Sequence, residues 1–196
     1  MVSKLTISLE DYHNYLLKRT LKGRIYRTFY LYPILRLIIG SSFVDYGCGI
    51  GDFLSFGDRN ECLGLDINPF NISYIKKKGM IGKLIEPGMA IPLNSNSVKA
   101  LVCDQVLEHL DSSELFFSEM RRIFVNKGKL LIGVPCIKGY ARDPDHKIFY
   151  DEYKLKILLE RNSFKIKKIF YLPFPFSFLG KFIQLQSLYI LAFYEK

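Results

Sequence analysis

The sequence has no tryptophan, no C-x-x-C pair and no apolar run approaching the ~20 residues that a membrane-spanning helix needs. The missing apolar run excludes a transmembrane helix. The missing C-x-x-C pair argues against a zinc site, because the four cysteines stand apart at Cys48, Cys62, Cys103 and Cys136. Cys62, Cys103 and Cys136 lie in or at the end of apolar, strand-like runs and read as small buried hydrophobes of a reducing compartment. Cys48 stands among glycines and is expected to be partly exposed. Histidine is scarce, at His13, His109 and His146. No internal repeat, low-complexity tract or linker interrupts the chain. Met1 to Asp11 alternates polar and apolar residues instead of forming a signal sequence, which points to the cytoplasm.

Acids are the minority charge. There are 19 Asp and Glu against 28 Lys and Arg, a net charge of +9. A basic surface suits nucleic acid, anionic lipid or a phosphorylated substrate, and scattered lysines serve equally well as plain solubilisers. The 196 residues are 49% hydrophobic and 24% charged, which fits one domain with a sizeable core. Aromatics are plentiful, with 16 Phe and 13 Tyr.

The most informative stretch is Phe43-Val-Asp-Tyr-Gly-Cys-Gly-Ile-Gly-Asp-Phe53. It begins as a strand, carries the carboxylate of Asp45, places glycines at 47, 49 and 51, and turns helix-like from Asp52. Glycine lets a ligand lie directly on the backbone, and a following helix aims free N–H groups at the loop. Strand, glycine loop and helix in that order make a nucleotide cradle. About twenty residues further on, Glu61 to Asp66 reads as a second short strand ending in a carboxylate, placed to accept both hydroxyls of a ribose.

The glycines run G-x-G-x-G behind an acid, where the dehydrogenase fingerprint needs G-x-G-x-x-G. D-x-G-x-G-x-G resembles motif I of the S-adenosyl-L-methionine (SAM)-dependent methyltransferases of the Rossmann-like, class I superfamily. The likeness spans Phe43 to Val134. It includes Asp66, the Ile91-Pro92-Leu93 phrase, and the run Val102 to Leu110, which resembles the small-molecule, sugar and ubiquinone-pathway O-methyltransferases. The resemblance implies an α/β three-layer sandwich with a mostly parallel seven-stranded sheet and a C-terminal antiparallel hairpin. It implies one methyltransferase domain over 1–196: a helical extension to 40, a SAM-binding core over 41–135, and acceptor-side loops and closing strands over 136–196. The cofactor residues it implies are Asp45, Gly47, Cys48, Gly49, Gly51, Asp66, Ile67, Met89, Ala90, Asp104 and Gln105. Ile67 lies against adenine. The family's acid for the adenine amino group is displaced here to Glu86, so a backbone group near Met89 or Ala90 takes its place.

The remaining elements follow from pattern. Leu9 to Leu21 has helical spacing, and a second helix is expected from about Arg24 to Ile39 with Pro33 as a break or kink. As a lid over the ligand or as packing on a sheet edge, this extension reads equally well. Phe70 to Lys78 is a helix stopped by Gly79. Gly82 to Ile85 and Lys99 to Asp104 are strands. Asp111-Ser112-Ser113-Glu114 caps a helix reaching about Val125. An Asn126-Lys127-Gly128 turn leads to a strand ending at Pro135. Cys136 to Tyr150 reads as a long polar loop, Asp151 to Arg161 as a helix, and Phe164 to Leu172 and Ser187 to Tyr194 as the closing strands. The aromatic insertion Pro173 to Phe182 separates those two strands.

The reaction expected is methyl transfer to a hydroxyl of a small molecule or glycoconjugate. Holding the acceptor in line is the main demand, worth up to ~7–11 kcal/mol, and a general base adds roughly 100- to 10,000-fold. His109 and His146 are the catalytic candidates. Some relatives bind a divalent ion through E-x-x-E-H. Here Gln105 replaces the first acid, so no metal is expected, although Glu108, His109 and His146 would form a weak oxygen–nitrogen site. Two other functions stay open. An RNA or protein methyltransferase fits the charge, although the N/D-P-P-Y/F motif of amino-group methylases is missing after Asp104. A non-catalytic binding module, or one peripheral to the inner face of the membrane, fits the aromatics of 174–182 beside Lys168 and Lys181.

Overall fold

The computed structural model describes residues 8–196. The alternation read over Met1 to Asp11 therefore lies largely outside the described residues. The chain forms two compact units, residues 1–92 and 93–196.

The first unit opens with α1 (Leu9–Leu17), capped by Ser8, whose side chain accepts from Asp11 N–H. A short break at residues 18–20 follows, so the helix ends before Leu21. A continuous helical stretch then comprises α2 (Leu21–Tyr26), a π turn (Arg27–Leu31) and α3 (Tyr32–Ile39). Pro33 does not break it. Proline lacks the N–H that an interior position needs, and here it falls directly after the π turn, where the changed hydrogen-bond register accommodates the missing donor. The wider π turn immediately upstream absorbs the change in geometry.

Strands β1 (Val44–Tyr46), β2 (Leu63–Asp66) and β3 (Ile81–Leu84) run parallel in the order β3-β2-β1. Val44 pairs with Leu63, and Leu63 with Ile81. Helix α4 (Pro69–Lys77) joins β2 to β3. Its start is built from sequence signals in series: Asn68 accepts from Phe70 N–H, and Pro69 stands in the first turn. Gly79, at φ 77°, ends it.

The helix expected after the glycine loop is absent. Only a 3-10 turn, Leu54–Phe56, forms between β1 and β2. Phe53 and Leu54 are drawn into the core, with Phe53 stacked on Phe43 at 4.8 Å, and Gly57 stops the turn. Burial of these side chains outweighs continuation of a helix through a segment of Ser55, Gly57 and Asp58.

The second unit contains β4 (Val98–Asp104), α5 (Glu114–Ile123), β5 (Phe124–Pro135), α6 (Ile137–Tyr140), α7 (Glu152–Arg161), β6 (Phe164–Leu172) and β7 (Ser187–Tyr194). The strand order is β4-β5-β7-β6. β4 and β5 are parallel, whereas β5–β7 and β6–β7 are antiparallel. Leu130, Leu131, Ile132 and Val134 of β5 are buried, as expected of a strand covered on both faces. Helix α5 buries Phe116, Phe117, Met120 and Ile123, one face at helical spacing.

Two expectations for this unit need correction. No separate turn precedes β5: the strand begins at Phe124, directly after α5, and absorbs Asn126-Lys127-Gly128 as an irregularity with Lys127 at φ 63°. The stretch after Cys136 is not all loop, because residues 137–140 close a helical turn. The seven strands among the described residues, parallel except for the C-terminal pairings, give the mostly parallel α/β sheet with a closing antiparallel hairpin expected from sequence.

Candidate active site

In the first unit, the glycine loop is held by its neighbours' backbone. Gly47 and Cys48 N–H both donate to Leu65 C=O, at 2.7 and 3.0 Å, and Gly51 N–H donates to Cys48 C=O at 2.9 Å. All three glycines have positive φ, at 79°, 54° and 80°. Gly51 is required twice over. A Cβ there would also fall 2.8 Å from Met80 Cε and 2.9 Å from Ile75 Cγ2, so its bareness serves packing on α4. Cys48 is buried, contrary to the exposure expected, and burial beside Asp45 and Asp66 pushes its thiol far up. It is inert filler under the loop, not a reactive group.

Asp45 and Asp66 are both buried and sit on adjacent parallel strands. Asp45 pairs with Gly64, two residues before Asp66, and the period of two puts both carboxylates on one face. Asp66 accepts from Gly49 N–H at 2.7 Å and from Asn68 N–H at 2.7 Å. It thus ties the loop to the start of α4. Burial raises its pKa, and these two donors together with Asn71 partly offset that. Ile67 follows, exposed, and Met89 and Ala90 lie exposed on the turn closed by Met89 N–H to Glu86 C=O.

Helix α1 lies on this loop. Leu16 is buried with Cδ1 only 3.3 Å from where a Gly49 Cβ would stand. Arg19 pairs with Asp52 at 3.0 Å, Asn68 Nδ2 donates to Leu9 C=O, and His13 Nδ1 meets Asn71 Oδ1 at 2.8 Å. His13 is therefore a structural histidine. A cavity of about 280 Å³ opens beside the loop, lined by Arg24, Arg27, Gly51, Asp52, Tyr74 and Lys78 among others.

In the second unit, β4 ends at Asp104 and the chain turns sharply. Gln105 takes φ 57°, donates its N–H to Gly133 C=O at 2.8 Å, and its side chain reaches Ser187 Oγ. Gly133 makes room here, since a Cβ at that position would run into Asp104 and the Tyr189 ring. Gly133→Ala is expected to cost about 1–3 kcal/mol by overpacking, read as a lowered midpoint in urea with unchanged slope. A variant as stable as the parent would show that Asp104 is not fixed by this contact.

The 3-10 turn Leu107–His109 follows. Glu108 C=O accepts from Lys147 N–H and Ile148 N–H, which brings the polar loop onto the turn. His109 and His146 consequently meet edge to face, with ring centroids 4.6 Å apart. Each holds a backbone carbonyl with Nδ1: His109 the one of Asp145 at 3.3 Å, His146 the one of Tyr140 at 2.8 Å. A donating Nδ1–H leaves Nε2 as the basic nitrogen on both rings. Burial, then the neighbouring His146, lowers the His109 pKa and keeps that ring neutral near pH 7.

Glu108 is the residue that pattern reading undervalued. Only 1% of it is exposed, and neither carboxylate oxygen has a hydrogen-bond partner. His146 Nε2 stands 3.8 Å from Oε1. Burial, with Asp104 and Asp143 adding, pushes the carboxyl up to about 8. The ligand atoms of Glu108, His109 and His146 all fall within 4.8 Å of one another. Sequence alone groups these three residues as a weak oxygen–nitrogen site, and the structure brings them together. What an E-H-L string could not show is the complete burial of Glu108.

A methyltransferase domain family model matches residues 44–132. The sequence matches none of the curated proteins. Among solved structures, a SAM-dependent methyltransferase from Archaeoglobus fulgidus is similar at TM-score 0.66 and 20% identity, covering 89% of this chain and 100% of that one. One from Aquifex aeolicus gives 0.68 at 14%, covering 96% and 99%. A Haloferax volcanii methyltransferase in complex with the Trm112 methyltransferase activator gives 0.75 at 12%, covering 98% and 100%. The chain thus has the Rossmann-like fold seen in these SAM-dependent methyltransferases, and its residues 44–132 are similar to the methyltransferase domain family.

Proposed function

We propose that this protein transfers a methyl group from S-adenosyl-L-methionine to a hydroxyl of a small molecule or glycoconjugate. One observation carries the cofactor half: two buried carboxylates on one face of adjacent strands, with the glycine loop bonded to one of them. The residues fit the group. Asp66 accepts the ribose hydroxyls, Ile67 offers an exposed apolar side chain to adenine, and the Gly47–Gly51 backbone faces the amino-acid tail. Asp45, Cys48, Met89, Ala90, Asp104 and Gln105 complete the proposed set. The bound sulfonium supplies a methyl already activated for in-line displacement. The chain's own task is to hold the acceptor, keep water out and take a proton. Neutral His109, or His146, receives the hydroxyl proton at Nε2 while its Nδ1–H stays on the carbonyl.

A second reading of the same cluster is favoured by the unpartnered Glu108. A divalent cation would satisfy its carboxylate and both Nε2 atoms at once, a mixed oxygen–nitrogen donor set of the kind that suits manganese, iron or zinc. The cation would fix the acceptor oxygen and lower its pKa.

Calorimetry with S-adenosylhomocysteine should show micromolar binding to the intact protein. Mass spectrometry of sugars, lipids and quinone precursors incubated with protein and cofactor should then show the gain of one methyl. An intact, folded protein that takes up neither cofactor nor product would refute the proposal.

A further inference from the structure

We propose that the helical stretch from Leu21 to Ile39 is a docking surface for an anionic lipid bilayer. The inference is independent of methyl transfer and stands on three observations.

The first is charge. Between Asp11 and Asp45 the chain contains no acid, while Lys18, Arg19, Lys22, Arg24, Arg27 and Arg36 fall in that interval. Arg19 is engaged by Asp52, and Arg36 Nε donates to Phe56 C=O. Lys22 and Arg24 stay exposed, while Arg27 is half-buried, and Arg24 and Arg27 also line the cavity that Asp52 shares.

The second is an apolar stripe on the outside. Leu21 is 72% exposed, Ile25 49%, Phe29 78% and Leu37 84%. The inner side is fully occupied: Leu31, Tyr32, Leu35 and Ile39 are buried, and Tyr32 packs on Phe53 at 5.4 Å and Phe56 at 5.5 Å. The outer residues are therefore held outward by an anchored helix.

The third is the π turn. Residues four apart drift steadily around a regular α-helix. The π turn Arg27–Leu31 takes one more residue per hydrogen-bonded ring, so it turns less per residue and offsets that drift. Leu21, Ile25, Phe29 and Leu37 consequently stay on one side.

The occupant follows from needing both an apolar and an anionic partner. A second copy presenting the same face would set cation against cation. Nucleic acid attracts the cations and stacks on aromatic rings, but offers nothing to cover Leu21, Ile25 and Leu37. A bilayer surface supplies anionic headgroups and the edge of the acyl layer together. The stacked pair Tyr26–Tyr30, centroids 5.6 Å apart, suits the headgroup level. No described helix is long and apolar enough to cross a membrane, so the segment lies in the interface plane.

Co-sedimentation with vesicles tests this, using phosphatidylcholine alone or mixed with phosphatidylglycerol. The full chain should pellet with the mixed vesicles and release as salt rises. Binding should fall roughly thirtyfold in Lys22→Ser/Arg24→Ser, two cations near the surface. It should fall at least about tenfold in Phe29→Ser/Leu37→Ser, with thermal melts unchanged because both side chains are exposed. Protein that stays in solution with both vesicle types overturns the proposal, as does binding that neither variant weakens. Without lipid binding, a dimer dispersed by Phe29→Ser/Leu37→Ser would give the face to a second copy, and an RNA gel shift lost in Lys22→Ser/Arg24→Ser would give it to nucleic acid.

Discussion

Asp66→Ala is expected to abolish measurable S-adenosylhomocysteine binding, a loss of at least about 100-fold, while the protein remains folded. The carboxylate accepts from Gly49 and Asn68 N–H, so its removal strands two amides and frees the loop. Hydrogen bonds to a charged group are worth roughly 1.5–3 kcal/mol each, and the proposed contacts to the ribose hydroxyls vanish in the same step. Asp66→Asn separates the two contributions. The amide keeps the shape and one acceptor oxygen, holds one loop amide, and turns the other end into a donor. It should retain most of the stability and lose most of the affinity. Calorimetry on both variants, paired with thermal melts, reads this directly. Affinity unchanged in a folded Asp66→Ala would remove Asp66 from the cofactor site. Acid has a predictable sign here. Because burial raises the Asp66 pKa, lowering pH protonates it before an ordinary aspartate. Cofactor affinity should weaken over that interval while the fold gains relative stability, since a raised carboxyl opposes folding only where it is ionised.

The sequence made most helices and strands of both units legible, β6 and β7 to the residue, and the meeting of distant side chains much less so, for physical reasons. Strand β2, its closing Asp66, the Asn68-Pro69 start of α4 and its stop at Gly79 are local signals. Each is decided by a few neighbouring residues, and each lies within a residue or two of its expected place. The failed helix after the glycine loop is a tertiary override. Phe53 and Leu54 gain more by entering the core than a helix gains by continuing through Gly57. Pro33 does not break its helix because the π turn just upstream accommodates it, and no local pattern in the sequence marks that turn. Glu108 and His146, 38 positions apart, show the remaining limit: nothing between them has a period, and they meet because backbone N–H groups of Lys147 and Ile148 bond Glu108 C=O.

Glu108→Gln is the substitution that decides what this cluster does, because its two readings predict different responses to manganese. In chelator, the parent carries a buried carboxyl whose pKa is pushed from 4.5 to about 8. Below the unfolded value, near 4.5, the group is neutral in both states and costs nothing. As pH rises from there to about 8, the unfolded chain ionises while the folded one does not, and stability drains away, on the order of a few kcal/mol. Above about 8 both states are ionised and the loss is complete. Glutamine mimics the neutral acid and never ionises, so the variant in chelator should be the more stable protein at pH 8 and nearly equal to the parent at pH 4.5. Manganese narrows that gap or closes it if the cluster holds a cation. Binding to the folded state alone stabilises by about 2.7 kcal/mol at a hundredfold excess over Kd. It draws the proton off Glu108, so the parent's melting temperature should rise with metal, more at pH 8 than at pH 6. The variant, lacking the anionic ligand, should barely respond. Parent and variant that both ignore manganese leave His109 and His146 as proton acceptors without a metal. Glu108 is then a neutral acid, kept protonated beside His146, and the variant should retain most of the methyl transfer.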